Sequence, residues 1–247
     1  MPRIFLSPST QEFNNYVNGG TEEQYMNIIA DEMEPYLRAS GIQYTRNDRN
    51  ASTSKAIADS NAGNYDFHLA IHSNAAPENL AGKLSGTDVY YYPYSQNGKR
   101  AATIFANNFK EIYPDPSKVR TLPSTTIGEV KKTKAPAVLI EVGYHDNPQD
   151  ANWIKNNTEE IARNLVVSLT DYFGIPFIEP SGSMQGIVNT RVSPLNIRSK
   201  PSVFSSVVAK APKGATLDVY GKASDDWYVV NYNGAIGYAS SKYIKIV

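Results

Sequence analysis

The amino-acid sequence predicts an α/β domain with a largely parallel sheet, followed by a small all-β domain. Up to about residue 175, short segments rich in β-branched and aromatic residues alternate with amphipathic segments of helical period, a pattern typical of α/β proteins. From residue 187 onward the chain has closely spaced strand-like segments and no amphipathic helix. The length of 247 residues suits one medium and one small domain.

Within the first domain, alternation of apolar and polar residues predicts five strands and three helices. The strands are expected at 3–6, 42–45, 67–72, 87–92 and 137–142, and the helices around the periodic apolar residues of 26–37, 101–112 and 161–173. Thr21 and Gln24 have the spacing of a capping box, and Gly41 is a suitable end for the first helix. In such sheets, ligands bind at the carboxyl ends of the strands.

A linker is predicted at residues 176–186, PFIEPSGSMQG, because the periodicity is lost there and Pro, Gly and Ser are concentrated. The predicted domain bounds are therefore 1–175 and 187–247. In the second domain the alternation of residues 216–220 predicts a strand, and the Asn233-Gly234 pair predicts a hairpin turn.

The composition excludes several classes of function and site. Lys+Arg and Asp+Glu both number 24, so no net basic surface is expected to attract nucleic acid. Cysteine is absent, so a metal ion would need His, carboxylate or amide ligands, and His68, His72 and His145 are the three histidines. No apolar run approaches the ~18 residues of a membrane span, and the N-terminus lacks the pattern of a secretion signal. The composition predicts nothing about oligomeric state.

Three residues are candidates for chemistry by position. His72 ends a predicted strand, although a hydrogen-bonded structural histidine fits that position equally well. Glu141 follows five apolar residues, where a buried strand disfavours an unpaired charge, so a functional role is favoured. Glu22 lies in a first helical turn, where the helix dipole already favours an acidic residue. His68 lies four strand residues before His72, about 13 Å away, so it is expected to be a core histidine that shares no metal with His72.

Four motifs occur in order along the first domain: GTEEQYMN at 20–27, Thr45-Arg46, AIHSNA at 70–75 and APAVLIEVGYHDN at 135–147. With these motifs, residues 1 to about 175 resemble the zinc-dependent N-acetylmuramoyl-L-alanine amidases of the amidase-3 type. The resemblance implies a twisted six-stranded sheet flanked by helices. It also implies hydrolysis of the peptidoglycan amide bond between N-acetylmuramic acid and L-alanine.

The same resemblance implies the residues of the site. Zinc would be held by a histidine after the first strand, a glutamate at the start of the first helix and the histidine of the IHxN motif. Glu22 and His72 match the last two, and Glu141 matches the catalytic glutamate of the last strand. Glu141 would then act as general base on a water whose pKa zinc lowers towards ~7.

The first of these ligands is missing, because the chain has SPSTQ, with Gln11, where the histidine is expected. Three alternatives stay open: the amide oxygen of Gln11 binds zinc, although it is a weaker ligand than imidazole; His145, four residues after Glu141, contacts the metal or the substrate; or the metal site has been lost. The leading hypothesis is a zinc amidase, and the second is an inactive wall-binding protein on an amidase scaffold.

The last sixty or so residues resemble a bacterial SH3 domain, a small all-β barrel. LNIRSKPS at 195–202, the Lys213-Gly214 pair and the segment 226–244 carry this resemblance. It implies a domain that holds the enzyme on peptidoglycan, and hence a protein that acts at the cell wall after secretion or lysis. An endolysin, an autolysin and a spore-related hydrolase are all consistent with this pattern.

Overall fold

The computed structural model describes residues 1–180 and 184–247. Contacts divide the chain into two compact units, one formed by Arg3–Met33 and Tyr44–Tyr172, the other by Met1–Pro2, Glu34–Gln43 and Phe173–Val247. Of the predicted linker, residues 176–180 have no regular secondary structure, 181–183 lie outside the described residues, and 184–186 begin a strand.

Between residues 3 and 173 the chain forms six strands and six helices. In order they are β1 Arg3–Pro8, α1 Glu22–Ala39, β2 Gln43–Arg46, α2 Thr53–Ala62, β3 Phe67–Asn74, β4 Thr87–Tyr91, α3 Gln96–Phe109, β5 Val119–Pro123, α4 Gly128–Lys131, β6 Ala137–Tyr144, α5 Pro148–Asn156 and α6 Thr158–Phe173. In the part of the chain that the structure describes, no helix combines the length and apolarity needed to cross a bilayer.

The six strands form one sheet in the order β2-β1-β3-β6-β4-β5, which confirms the predicted α/β class. The pairs β1–β3, β3–β6 and β4–β5 are parallel, whereas β4 and β6 are antiparallel. Strand β5, VRTLP, was not predicted, because its polar residues give no apolar alternation. The register places Glu141 of β6 between His72 of β3 and Asp88 of β4. Two predicted candidates are therefore neighbours across the sheet.

Helix α1 begins and ends where the sequence predicts. The hydroxyl of Thr21 accepts a hydrogen bond from the backbone N–H of Gln24 at 3.2 Å, so Thr21 is the N-cap and Glu22 the first helical residue. At the other end, the N–H of Gly41 donates to the carbonyl of Arg38 at 3.0 Å. Gly41 has φ +73°, a left-handed conformation that glycine adopts without strain. This cap fixes the position of Glu22 at the helix N-terminus.

The C-terminal part of the chain forms a seven-stranded antiparallel sheet in the order β13-β7-β10-β11-β12-β8-β9, which confirms the predicted all-β domain. The Asn233-Gly234 pair, with φ of 51° and 83°, forms the predicted hairpin turn. The strands are β7 Met184–Val188, β8 Leu195–Arg198, β9 Val207–Ala211, β10 Thr216–Ser224, β11 Trp227–Tyr232, β12 Ala235–Ser240 and β13 Ile244–Ile246. Their inward side chains form a separate apolar core: Val188, Leu195, Ile197, Ala211, Leu217, Val219, Val230, Ala239 and Ile244.

Candidate metal and catalytic site

Three of the predicted site residues meet at one nitrogen atom of His72. Nδ1 of His72 lies 2.8 Å from Oε1 of Glu22 and 3.3 Å from Nε2 of Gln11. Glu22 and His72 are buried, with exposed fractions of 1% and 7%. The end of β3, the start of α1 and the segment after β1 thus bring an imidazole, a carboxylate and an amide together.

Asn14, which the sequence analysis missed, orients two of these side chains. Its Nδ2 donates to Oε2 of Glu22 at 2.6 Å and to Oε1 of Gln11 at 3.1 Å. The amide oxygen of Gln11 is therefore turned towards Asn14, and the nitrogen faces His72. For Gln11 to offer its oxygen at His72, its terminal amide must rotate by about 180°, a torsion with two nearly equivalent states.

Glu129 of α4, which was also missed, holds the opposite side of the His72 ring. Its Oε2 lies 3.1 Å from Nε2 of His72, while its Oε1 lies 3.2 Å from Nε2 of His68 and accepts a hydrogen bond from Ser7 at 2.6 Å. Glu129 is only 2% exposed. His68 is fully buried, as expected of a core histidine. Glu129 therefore contacts both histidines, although they lie four residues apart on β3.

Hydrogen bonds within this cluster stabilise the charged forms of His72, Glu129 and Glu22. Burial alone lowers the pKa of His72, but hydrogen bonds with Glu129 and Glu22 outweigh it and raise that pKa well above its ordinary value. Burial raises the pKa of Glu129, but hydrogen bonds from His68 and His72 reverse the effect and hold the pKa below its usual range. The pKa of Glu22 is lowered in the same way, since the hydrogen bond with His72 outweighs burial.

The contact between Nδ1 of His72 and Oε1 of Glu22 requires a proton or a metal ion at this position. When Nε2 of His72 donates to Glu129, a neutral ring presents a lone pair at Nδ1 to the Glu22 oxygen 2.8 Å away. Two electron-rich atoms at that distance repel unless a proton or a metal ion lies between them. The geometry therefore fits an imidazolium or a metal-bound imidazole. In metal sites, the histidine nitrogen that does not bind the metal commonly donates a hydrogen bond to a carboxylate, as Nε2 of His72 does to Glu129.

Glu141 provides a carboxyl group with a free oxygen beside this cluster. Oε2 of Glu141 is buried and has no hydrogen-bond partner among residues 1–180 and 184–247. Burial, together with the nearby charges of Glu22 and Asp88, raises the pKa of Glu141 to about 7, against the opposing effect of His72. A carboxyl group with this pKa both accepts and releases a proton near neutral pH.

His145 lies next to the cluster but contacts other groups. Its Nδ1 is 2.9 Å from the carbonyl oxygen of Ser73 and 3.1 Å from the Ser73 hydroxyl, and its ring stacks on Tyr16. The backbone N–H of Ser73 donates to Oε1 of Glu22 at 3.4 Å. His145 is thus connected to Glu22 through Ser73, whereas Gln11 adjoins His72 itself.

A family model described as N-acetylmuramoyl-L-alanine amidase matches residues 9–171, more than half of the chain. The chain belongs to this amidase family. A second model, described as a bacterial SH3 domain, matches residues 193–245. Both resemblances predicted from the sequence are confirmed.

Among curated proteins, this amidase-family chain is similar to the probable cell wall amidase LytH of Staphylococcus saprophyticus, at 27% identity over 145 residues. It is also 27% identical over 164 residues to the N-acetylmuramoyl-L-alanine amidase LytC of Bacillus subtilis. These matches cover 59% and 62% of the chain. They span 46% of LytH and 31% of LytC, so the chain corresponds to less than half of either relative.

Solved amidase structures share the fold. The N-acetylmuramoyl-L-alanine amidase AmiC2 of Nostoc punctiforme superposes with a TM-score of 0.61 at 16% identity, covering 70% of this chain and 97% of that one. The catalytic domain of the CD27L endolysin, which targets Clostridia difficile, gives a TM-score of 0.58 at 21% identity and covers 69% of this chain and 98% of its own.

Two acidic or histidine side chains, Glu22 and His72, contact one another at the candidate metal position. Within residues 1–180 and 184–247, no three His, Asp or Glu side chains are placed to hold one metal ion. Glu129 does not complete such a set, because it lies on Nε2 of His72 while Glu22 lies on Nδ1. The amide of Gln11 is the third polar group at Nδ1.

Proposed function

We propose that the chain is a zinc-dependent amidase that hydrolyses the bond between N-acetylmuramic acid and L-alanine in peptidoglycan. The observation that carries this proposal is the approach of Glu22 and Gln11 to a single nitrogen of His72, in a chain of the N-acetylmuramoyl-L-alanine amidase family. Glu22, His72 and Gln11 would hold the zinc ion, and Glu141 would be the general base.

The donor set fits zinc. Catalytic zinc sites have three protein ligands and one open position, and nitrogen and oxygen donors are both accepted. His72 supplies an imidazole nitrogen, Glu22 a carboxylate oxygen and Gln11, after rotation of its amide, a neutral oxygen. Because Oε1 of Glu22 and the terminal amide of Gln11 lie 2.8 and 3.3 Å from Nδ1 of His72, one ion at this point would be within reach of all three side chains.

The chain's own residues account for the proton transfers. Zinc, when bound, polarises the scissile carbonyl and makes water a stronger acid. Glu141 takes the proton of the attacking water and passes it to the alanine nitrogen as the carbon–nitrogen bond breaks, for which its raised pKa of about 7 is suited. Glu129 keeps the proton of His72 on Nε2, so that Nδ1 remains available.

We further propose that the SH3 domain, within the bounds 187–247, holds the amidase on the cell wall, and that residues 176–186 link it to an amidase domain of residues 1–175. The SH3 match at 193–245 and the separate apolar core of the all-β sheet support this division. The place of action would then be the wall. The comparisons give no support to the second hypothesis, an inactive wall-binding relative.

Metal content and bond cleavage test the proposal together. The purified full-length chain is expected to contain one zinc ion and to release new N-terminal alanine from purified peptidoglycan. Glu141→Gln should retain zinc and lose at least ~100-fold in turnover, the lower range for a general base. Glu12→Gln, at an exposed carboxylate outside the cluster, is the matched control and should behave as the wild type. Full activity of a metal-free preparation in chelator would refute zinc dependence.

A further inference from the structure

A cavity in the C-terminal sheet has the properties of a binding site. It has a volume of about 810 Å³ and lies between the segment that joins β7 to β8, the strand β8, the start of β11 and the short turn after β12. This volume is within the range of sites for small ligands, about 300–1,000 Å³. The cavity is therefore large enough for a short peptide and too small for a folded partner.

The residues that line the cavity include positively charged side chains and no acidic ones. Arg191, Arg198 and Lys242 line it, whereas no Asp or Glu does. Within the described chain none of these three cations forms an ion pair, although Arg198 donates to the carbonyl of Ser205 at 2.7 Å. Since the chain as a whole has equal numbers of acidic and basic residues, this concentration of cations is local.

A buried hydroxyl group in the same wall lacks a partner. Thr190 lines the cavity, is only 7% exposed, and its Oγ1 has no hydrogen-bond partner within residues 1–180 and 184–247. Buried polar groups are nearly always hydrogen-bonded, so an unpaired one calls for an explanation. A ligand with polar atoms would supply the missing partner.

Two aromatic side chains in the cavity wall indicate which chemical class of ligand fits. Trp227 and Tyr243 line the cavity, and the Tyr243 side chain is 39% exposed. Flat rings with a polar edge pack against peptide groups and short aliphatic side chains, while arginine pairs with carboxylates through two parallel hydrogen bonds. Three cations beside two aromatic rings match a short peptide that carries more than one carboxylate.

We propose that this cavity binds the carboxylate-bearing stem peptide of peptidoglycan, with Arg191 and Lys242 facing its carboxylates. The inference rests on the proposed wall-holding role and names the part of the wall that is recognised. It differs from recognition of the glycan strand, which carries no such density of carboxylates, and from recognition of wall polymers that carry phosphate.

The test uses the full-length chain and a variant that removes two cavity cations, Arg191→Gln with Lys242→Gln. The control, Lys210→Gln with Lys245→Gln, removes the same charge from exposed positions of the same sheet that do not line the cavity. The probe is the pentapeptide L-Ala-γ-D-Glu-L-Lys-D-Ala-D-Ala, measured by calorimetry as the free acid and with its carboxylates amidated. The cavity variant should bind the free acid at least tenfold more weakly than the wild type, and the control within twofold.

Sedimentation with purified walls distinguishes the sources of negative charge. Wild-type chain should bind walls equally before and after hydrofluoric acid removes phosphate polymers, and the cavity variant should lose binding to both. Binding that disappears on acid treatment, or equal binding of the amidated peptide, would overturn the inference. If the wild type fails to sediment but binds the free peptide through these two cations, the wall-holding role fails and the cavity assignment stands. Bond cleavage, measured separately, reports on the amidase proposal alone.

Discussion

Replacement of Glu129 is the sharpest test of how the candidate metal site is organised. Glu129 accepts hydrogen bonds from Ser7, His68 and His72, and it is buried. In Glu129→Gln one oxygen becomes a donor NH₂ group. That group fits on the side of Ser7 and His68, since a hydroxyl can turn and His68 can move its proton to Nδ1, beside Ser60. The remaining oxygen then still accepts from Nε2 of His72.

The expected effects differ between the conservative and the truncating variant. A hydrogen bond to a charged group contributes about 1.5–3 kcal/mol and a neutral one about 0.5–1.5 kcal/mol, so Glu129→Gln loses about 1 kcal/mol at His72. That corresponds to roughly fivefold weaker zinc binding. Glu129→Ala removes the partner altogether, for which a 10–100-fold loss in metal affinity is typical. It also leaves buried donors unpaired, so we expect about 3–5 kcal/mol of destabilisation, as for breaking a buried ion pair.

Zinc affinity is measured by competition with a chromophoric chelator, and the free energy of unfolding by urea titration of the metal-free chain. Glu160→Gln, at an exposed position of α6, is the charge-matched control; it should leave zinc affinity unchanged and cost at most about 1 kcal/mol of stability, since Glu160 lies in the first turn of the helix. If Glu129→Ala unfolds, Glu129→Gln still reports the effect on zinc. Zinc binding that is identical in wild type and in folded Glu129→Gln and Glu129→Ala would refute the role assigned to this carboxylate.

Three further predictions concern the third ligand and the linker. Gln11→Ala should weaken zinc binding on the order of tenfold, and Gln11→His should strengthen it similarly, because imidazole is the better donor; metal titration of both variants measures this. His145→Ala should keep its zinc in the same titration, because His145 contacts Ser73; loss of zinc there, with Gln11→Ala unaffected, would reverse the assignment. Limited proteolysis should cut first within residues 176–186, of which 176–180 have no regular secondary structure; mass spectrometry showing first cuts inside 187–247 would contradict the domain bounds.

Five of the six strands and the three longest helices of the first domain could be predicted, because their signals are local. The strand patterns around Phe67 and Ala137 and the cap at Thr21 depend only on neighbouring residues, and the structure contains them within one or two positions. Strand β5 could not be predicted, because VRTLP pairs with β4 through its backbone while most of its side chains are exposed or half-buried. An edge strand of this kind leaves no apolar alternation in the sequence.

The candidate site could be predicted only where a motif marked it. Glu22, His72 and Glu141 stand in recognisable segments, whereas Asn14 and Glu129 act through contacts across 8 and 57 residues of sequence. Glu129 lies in a four-residue helix whose sequence, GEVK, has no periodic pattern to mark a buried carboxylate.

Gln11, at the position where a histidine was expected, and Glu129, which the sequence analysis missed, both contact His72. In the proposed zinc site, an amide oxygen from Gln11 would donate less electron density to zinc than the histidine expected from the family resemblance. A carboxylate on the far nitrogen makes an imidazole more basic and so a stronger donor through Nδ1. Glu129, at 3.1 Å from Nε2 of His72, would therefore act in the direction that offsets a weaker third ligand. We therefore expect the proposed metal site to work without the missing histidine, because His72 contacts a carboxylate at each ring nitrogen.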